Sequence, residues 1–448
     1  MSGSICPLEW RYGSTEMRKV FSRRNIVDKY IAVEAAILKG LEEAGLAPSG
    51  CWSKVESLKG VLDPAEVDRL ESRIGHDIAA LAEIISSRIG EPCGRFVHLG
   101  ATSYDIVDTA WALILSEALE LTRARLIEVI KLLVSLVEKY RDTIVVGRTH
   151  ARHALPITFG FKMANYAYEL TRSLPRLREL DERVVRSKIS GAVGTMAGWL
   201  KQGLIVENTA SSHLGLEPHL ITTQVAPRDG FAEVIADLAI LASQLERLSL
   251  EVRELMRDEI SEVYIDTGEV GSSAMPHKRN PSVPERVCGL SRVIRGLLVS
   301  SMENIALMHE RDLTNSSSER VIMPHVFLII DQMLLDTISI LRGLRVDEVS
   351  ASRNLELTQG RIMSECIMVK LVLRKGYSRI QAHELLRKLS RTSIWENKHL
   401  REILVENGLY DDEIGECFDY SKYLGNYSEL IDRVLKYVRE QIEAGVRN

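Results

Sequence analysis

Long stretches without proline constrain the fold of this 448-residue chain more than any other feature. The three longest lie between Pro92 and Pro156, between Pro227 and Pro276, and after Pro324. Because an interior proline destabilises a helix by about 3 kcal/mol, stretches of this length favour long helices. From Asp229 onward, apolar residues recur at helical spacing over roughly seven turns, whereas strand-like alternation is confined to short segments such as 143–146 and 263–267. The sequence therefore predicts an all-α fold.

The same features divide the chain into three parts. We expect an N-terminal helical domain over residues 1–92, a central long-helix bundle over 93–343 and a small C-terminal helical domain over 344–448. Within the central part, the stretch 105–140 is apolar on more than one face. This pattern is typical of a helix that is buried on several sides, in a bundle or at a subunit interface.

Composition excludes several classes of protein. Lys and Arg number 57 against 62 Asp and Glu, so the chain lacks the basic excess of most nucleic-acid-binding proteins. No run approaches the roughly 18 uncharged apolar residues of a membrane span. The first residues, MSGSICPLEWRYGS, do not have the pattern of a signal peptide. We expect a soluble cytoplasmic protein without nucleic-acid or membrane partners.

The six cysteines are scattered singly, without a C-x-x-C pair, which argues against a zinc ribbon or a disulfide-framed secreted module. Whether any of them pair is left open. Cytosolic chemistry disfavours pairing unless the source is a hyperthermophile.

The segment 268–284 is the least helix-like part of the chain. It contains the pair Ser272 and Ser273 after Gly271, three prolines, and the cationic run 277–279. Hydroxyls, backbone N–H groups and cations clustered in this way favour binding of an anion. The alternative is an ordinary polar linker, but linkers seldom combine prolines with clustered donors.

The segment 147–156 places His150 and His153 three residues apart. No Cys, Asp or Glu lies close by to complete a metal site, and no metal is expected. With Arg148 and Arg152 beside it, a histidine here suits proton transfer near an anionic substrate. A core histidine with ordinary hydrogen bonds is an equal alternative.

Two further segments carry hydroxyls and charges at the starts of expected helices. Thr102 and Ser103 are good N-cap residues, and a helix N-terminus with two hydroxyls can also hold a carboxylate. Arg311, Ser316 and Arg320 offer the groups that grip a phosphate, although a capped helix start with surface arginines would look similar. The glycine-rich segment 190–198 lacks the Rossmann spacing and no P-loop occurs, so no cofactor is expected.

Taken together, these segments resemble the aspartase/fumarase superfamily, whose signature GSSxMPxKxNP occurs here as GSSAMPHKRNP at 271–281. Within that superfamily the chain is most similar to the adenylosuccinate lyase family. The segments that carry this resemblance are Arg11-Tyr12, HLGATSYD (98–105), GRTHARHALP (147–156), TTQVAPRD (222–229) and ERDLTNSSSERVIMP (310–324).

The resemblance implies three helical domains, with a central bundle that contributes to a twenty-helix core in a homotetramer and active sites shared between subunits. It implies elimination of fumarate from adenylosuccinate, which gives AMP. It also implies the same elimination from succinylaminoimidazole-carboxamide ribotide, which gives AICAR. The substrate is a small nucleotide, and no metal or cofactor takes part.

The resemblance also implies roles for individual residues. Ser272 is the expected base and His150 the expected acid. The expected substrate-binding residues are Lys278, Asn280, Thr102 and Ser103 for the succinyl carboxylate, Gln224 and Arg286 for the substrate body, Arg311, Ser316 and Arg320 for the phosphate, Arg11 and Tyr12 for the nucleotide side, and Gly75, His76, Asp77 and His98 where the family has active-site residues.

Two alternatives remain. A carboxymuconate cycloisomerase has a similar signature loop but binds no phosphate, so Arg311, Ser316 and Arg320 would be unexplained. A non-catalytic structural relative is the second alternative. The presence of Ser272, His150 and Lys278 together argues against it.

Overall fold

The computed structural model describes residues 6–266, 275 and 277–444. The α-helices of this part are α1 Thr15–Val20, α2 Arg23–Glu43, α3 Cys51–Glu56, α4 Pro64–Ile74, α5 Asp77–Ile89, α6 Ser103–Lys139, α7 Phe159–Thr171, α8 Ser173–Arg183, α9 Gly203–Leu214, α10 Arg228–Leu255, α11 Ser282–Glu303, α12 Thr314–Gly343, α13 Glu348–Glu356, α14 Ser364–Lys375, α15 Arg379–Glu396, α16 Leu400–Glu406, α17 Asp412–Gly415 and α18 Tyr427–Ala444.

Short strands pair only two at a time in the described residues. They are β1 Ile144–Thr149 with β2 Arg152–Thr158, β3 Arg186–Ser187 with β4 Glu217–Pro218, and β5 Val263–Ile265 with β6 Leu344–Val346. The β1–β2 and β5–β6 pairs are antiparallel and the β3–β4 pair is parallel. The all-α expectation is confirmed, because the strands only connect or flank helices.

The longest helices follow the proline-free stretches in two of three cases. α6 has 37 residues and α10 has 28, and both lie within stretches that lack proline. The exception is α12, whose 30 residues include Pro324 in the interior. The spacing of prolines therefore predicts the first two helices and misplaces the start of the third.

The chain divides into two compact units, which differ from the expected domains by being discontinuous in sequence. The first unit consists of Met1–Leu126, Ser173–Ser243 and Gly289–Leu335. In it α2 packs against α9 and α3, and α4 packs against α5. The apolar residues at the centre of α2 are almost wholly buried, as are those in the first half of α6.

The second unit consists of Ile127–Arg172, Gln244–Cys288 and Asp336–Asn448. In it α18 packs against α7, and α14 packs against α15. A separate hydrophobic core forms among α14–α17, and the Leu371, Leu386 and Ile403 side chains are buried there. The three-domain division of the sequence at 92 and 343 stays a prediction.

One described helix, α12, is long and apolar enough to cross a membrane by length and composition alone. Of the residues in its most apolar 18-residue segment, 72% are buried, as in the core helix of a globular protein. Asp331 and Asp336 interrupt its apolar run and are both buried.

Four of the six cysteines form disulfides, which settles a point that the sequence left open. Cys51 pairs with Cys93, and Cys366 pairs with Cys417. Each partner is at most 3% exposed, so both bonds lie in the interior of a unit. Cys6 and Cys288 are unpaired thiols. Single, widely spaced cysteines gave no signal for this pairing.

Because the disulfides close loops with sequence separations of 42 and 51 residues, each is expected to stabilise the fold by about 2–4 kcal/mol. Reduction should therefore lower the melting temperature of the wild-type protein. Thiol titration of denatured, unreduced protein should find only Cys6 and Cys288, and Cys6→Ser should melt as the wild type does. Six reactive thiols before reduction would contradict this assignment.

Candidate active site

The first unit organises several expected site residues around the buried carboxylate of Asp105, in the first turn of α6. Its Oδ1 atom accepts hydrogen bonds from Lys188 Nζ at 2.5 Å and from the Ser190 N–H at 2.9 Å. Its Oδ2 atom accepts from the Thr102 N–H at 2.7 Å, and the Gly191 N–H lies 3.1 Å from both oxygens. One charge therefore joins the start of α6 to the segment after β3.

The glycine-rich segment 190–198 has a packing role in this arrangement. Gly194 has a φ of +88°, and an added Cβ would lie 2.1 Å from the Thr222 carbonyl oxygen. Gly100 has a φ of +75°, and its Cβ would lie 2.6 Å from Trp199 Nε1, which donates to the Leu99 carbonyl. These close backbone approaches explain the glycines without a nucleotide loop.

We expect Asp105→Asn to destabilise the protein by about 3–5 kcal/mol, because the substitution leaves the buried Lys188 ammonium without a counter-charge. Chemical denaturation measures the change. The matched control is Asp68→Asn, which breaks an exposed ion pair with Arg23 and should cost less than about 1 kcal/mol. Equal effects of the two substitutions would contradict the central role of Asp105.

His76 is held by its neighbours in a way that fixes its tautomer. It is the N-cap residue of α5, and its Nδ1 accepts from the Ala79 N–H at 3.3 Å. An accepting Nδ1 means that Nε2 carries the proton, so Nε2 donates to the Ser103 hydroxyl at 3.2 Å. His76 and Ser103, both expected in the site, are thus in direct contact.

The residues on either side of His76 also take defined positions. Gly75 ends α4 with a φ of +79°, a conformation that favours glycine. Asp77 accepts from Arg320 Nη2 at 3.2 Å. The sequence expectation placed Gly75, Asp77 and Arg320 in one site, and the structure brings the last two into contact.

His98 forms an ion pair that sequence reasoning missed. Its Nδ1 lies 2.7 Å from Oε1 of Glu34, a buried residue of α2. Burial alone would lower the pKa of His98, but the Glu34 carboxylate outweighs that effect and the pKa is raised. No motif contained Glu34, and only its position amid apolar residues of α2 could have drawn attention to it.

Arg311 is the best-prepared anion ligand among the expected phosphate residues. Its Nη1 donates to Gln224 Oε1 at 3.1 Å, and its guanidinium carbon lies 3.7 Å from the centre of the Tyr104 ring. Within the described part of the chain, its buried Nε and Nη2 have no hydrogen-bond acceptor. Ser316 lies in the first turn of α12, and Arg320 follows one turn later.

Arg11 and Tyr12 lie in the segment before α1, which is fixed to α12. The Gly13 N–H donates to Gln332 Oε1 at 3.0 Å, and the Ser14 N–H donates to Asp331 Oδ2 at 2.7 Å. The Arg11 side chain is exposed.

A cavity of about 330 Å³ lies in the first unit beside these residues. Expected substrate residues Asp77, Ser316 and Arg320 line it, together with the aromatic residues Phe21, Tyr30, Tyr104 and Trp111. A lining of rings and a few polar groups is typical of small-ligand sites.

In the second unit, His150 lies at the tip of the β1–β2 hairpin. Thr149 pairs with Arg152, so His150 and Ala151 form the two-residue loop, with φ of 51° and 58°. Positive φ at both positions is typical of a type I′ turn. The imidazole of His150 is therefore exposed at the end of a short, fixed hairpin.

Arg148, on the same hairpin, anchors it instead of facing an anion. Its Nη1 and Nη2 donate to the two oxygens of buried Glu262 at 2.9 and 2.5 Å. Glu262 also accepts from Asn354 Nδ2 at 2.8 Å. Glu262 immediately precedes β5, so the hairpin is tied near its turn to the strand that leads toward the signature segment.

The expected residues of the signature segment are only partly described. Ser272, the expected base, and Ser273 lie outside the described residues. Lys278 is exposed and its N–H donates to the Met275 carbonyl at 3.0 Å. Arg286 binds Asp336 through two hydrogen bonds of 2.6 and 2.7 Å, an interaction that holds α11 to α12. Asn280 is half-buried.

Among the described residues, no group of three or more His, Cys, Asp or Glu side chains is arranged to hold a metal ion.

Comparison with known proteins identifies the family to which the chain is similar. A family model described as "Lyase" matches residues 11–296, and one described as "Adenylosuccinate lyase C-terminus" matches residues 360–434. The chain is 40% identical to the adenylosuccinate lyase of Pyrococcus horikoshii, with 99% of this chain and 100% of the relative covered. It is 38% identical to that of Methanocaldococcus jannaschii, with 98% and 97% covered. The chain belongs to the adenylosuccinate lyase family.

Solved structures of the wider superfamily share the fold. A fumarate lyase from Mesorhizobium sp. BNC1 is 28% identical with a TM-score of 0.87, covering 95% of this chain and 98% of that one. The 3-carboxy-cis,cis-muconate lactonizing enzyme from Pseudomonas putida is 29% identical with the same score, covering 96% and 98%. The fold is thus common to both enzyme classes.

Proposed function

We propose that this chain catalyses elimination of fumarate from adenylosuccinate, giving AMP, and from succinylaminoimidazole-carboxamide ribotide, giving AICAR. Family membership supports the reaction class. The observation that carries the substrate assignment is the buried half of the Arg311 guanidinium, whose Nε and Nη2 find no acceptor in the described residues. Donors of this kind fit a phosphate group, which both substrates have.

The reaction is a β-elimination. A proton leaves the succinyl carbon beside a carboxylate, the C–N bond breaks, and the departing nitrogen receives a proton. The step needs a base, an acid, and cations or N–H groups that stabilise the charge that develops on the carboxylate.

We assign the base to Ser272 and the acid to His150. The exposed hairpin tip suits the acid, because the imidazole can approach a substrate without disturbing the packed core. Lys278, Asn280, Thr102 and Ser103 are assigned to the succinyl carboxylate. Thr102 and Ser103 are half-buried at the start of α6, where Asp105 accepts from the Thr102 N–H and the Ser103 hydroxyl contacts His76.

Ser272→Ala and His150→Gln should each lower kcat by at least about 10²–10⁴-fold with little change in substrate binding, because both groups act in the transition state. The assay follows the absorbance change of adenylosuccinate and identifies fumarate as the product. Ser273→Ala is the matched control and should retain most activity.

Two results would reject these assignments. An inactive Ser273→Ala beside a normal Ser272→Ala would show that the wrong serine was chosen. If neither serine matters, the base lies elsewhere. His98 would then be a better candidate than His76, whose Nδ1 is committed to capping α5.

We also propose that the chain forms a cytoplasmic homotetramer with shared active sites. The support is the exposure of Val293, Val299 and Met302 on α11, at 46%, 63% and 53%. Apolar side chains exposed to this extent favour a partner surface. α6 gives less support, because most of its apolar side chains are already buried within one chain.

Light scattering should find a particle of roughly 200 kDa, as expected for four chains of 50.3 kDa. Val299→Glu should shift the distribution toward smaller species, since a charge would be buried in the interface. A stable, fully active monomer would exclude both the tetramer and the shared site.

A further inference from the structure

Tyr104 contacts two of the three residues assigned to the phosphate, yet no role follows for it from the sequence motifs. It is the second residue of α6 and is 7% exposed. Its ring lies 3.7 Å from the guanidinium carbon of Arg311. Its side chain and that of Ser316 line the same cavity, and the two side chains interact. The third phosphate residue, Arg320, has a different partner, Asp77.

The nature of the Arg311 partners distinguishes it from other arginines of the site. Arg148 and Arg286 each bind a buried carboxylate through two hydrogen bonds, so their charges are matched within the protein. Arg311 is held by an aromatic face and by the amide oxygen of Gln224, both of which are neutral. An aromatic face attracts a cation without using its N–H donors. Arg311 is thus fixed in position while its positive charge is left for a ligand.

Two buried acids near Tyr104 pair with a second arginine, Arg228. Asp108 binds Arg228 Nη2 at 2.8 Å, and Glu319 lies 3.1 Å from Arg228 Nε. Both acids and Arg228 are buried. Arg228 is the ion-pair partner of both carboxylates, and Glu319 also interacts electrostatically with Arg311. The guanidinium of Arg228 lies 5.6 Å from the Tyr104 ring.

We propose that Tyr104 is a positioning residue that holds Arg311 and Ser316 ready for the substrate phosphate, and so sets the preference for a nucleotide over the corresponding nucleoside. This inference rests on the proposed function. It goes further by assigning phosphate selectivity to a residue that need not touch the phosphate.

The test compares Tyr104→Leu and Tyr104→Phe with the wild type on adenylosuccinate and on its dephosphorylated nucleoside. Tyr104→Leu should raise KM for adenylosuccinate roughly 5–30-fold, with kcat changed much less, because the ring that orders Arg311 is lost. Its kcat/KM on the nucleoside should stay near the wild-type value. Tyr104→Phe keeps the ring and should raise KM only a few-fold.

Equilibrium titration with AMP and with adenosine gives a readout that does not need turnover. Tyr104→Leu should weaken binding of AMP but not of adenosine. The matched control is Tyr166→Leu, since Tyr166 is also buried and stacks on an arginine, Arg247, at 4.7 Å in the second unit. It should leave the AMP-to-adenosine ratio unchanged.

A double-mutant cycle separates positioning from a general structural role. In an Arg311→Ala background, Tyr104→Leu should add little further loss of AMP affinity, because the residue that Tyr104 positions is absent. Additive losses, or a wild-type preference for AMP in Tyr104→Leu, would overturn the proposal.

If Tyr104→Leu does not fold, the same cycle with Tyr104→Phe and Ser316→Ala tests the hydroxyl contact. If the wild-type protein binds AMP more tightly than adenosine but does not convert adenylosuccinate, the proposed reaction is rejected, and the role of Tyr104 in phosphate selectivity still stands.

Discussion

The site residues in the first unit depend on the hydrogen bonds that the buried carboxylate of Asp105 accepts. A buried charge is tolerated only when it is matched, and here a lysine and three backbone N–H groups match it. These contacts fix the start of α6. Ser103 and Tyr104 are the two residues that precede Asp105 on that helix, so their contacts with His76 and Arg311 follow from the same anchor.

The sequence predicts the helical framework well because the framework depends on local properties. The absence of proline and the spacing of apolar residues predict α6 and α10, whereas the hairpin that carries His150 was not predicted beyond the short strand-like segment 143–146. Partners that are far apart in sequence could not be predicted. Arg148 and Glu262 are 114 residues apart, and Asp105 and Lys188 are 83 apart, so no pattern around one residue indicates the other. The pairing of Cys51 with Cys93 was missed for the same reason.

The motifs indicate which residue types meet a substrate, but not what each residue does. Sequence alone does not distinguish the roles of Arg286, Arg148 and Arg311. The structure separates them by their direct partners. The first two bind carboxylates, whereas the described contacts of Arg311 with Gln224 and the Tyr104 ring are with neutral groups. An arginine whose charge is already neutralised attracts an anion weakly, whereas one held by neutral groups retains its full attraction. Predicting this difference requires the three-dimensional partner of each side chain.

The two kinds of chemistry also make different demands on local structure. Anion binding needs fixed groups, and the first unit places them at helix starts that are capped by His76 in α5, Asp105 in α6 and Asp312 in α12. Proton transfer needs a side chain that can approach the reacting atom, and in the second unit His150 projects from a two-residue turn. Arg148, two residues before His150, binds the buried carboxylate of Glu262 and so holds the end of the hairpin in place, while the imidazole stays exposed. An exposed group on a fixed support can donate a proton at a defined position, which a histidine in a long flexible loop could not do.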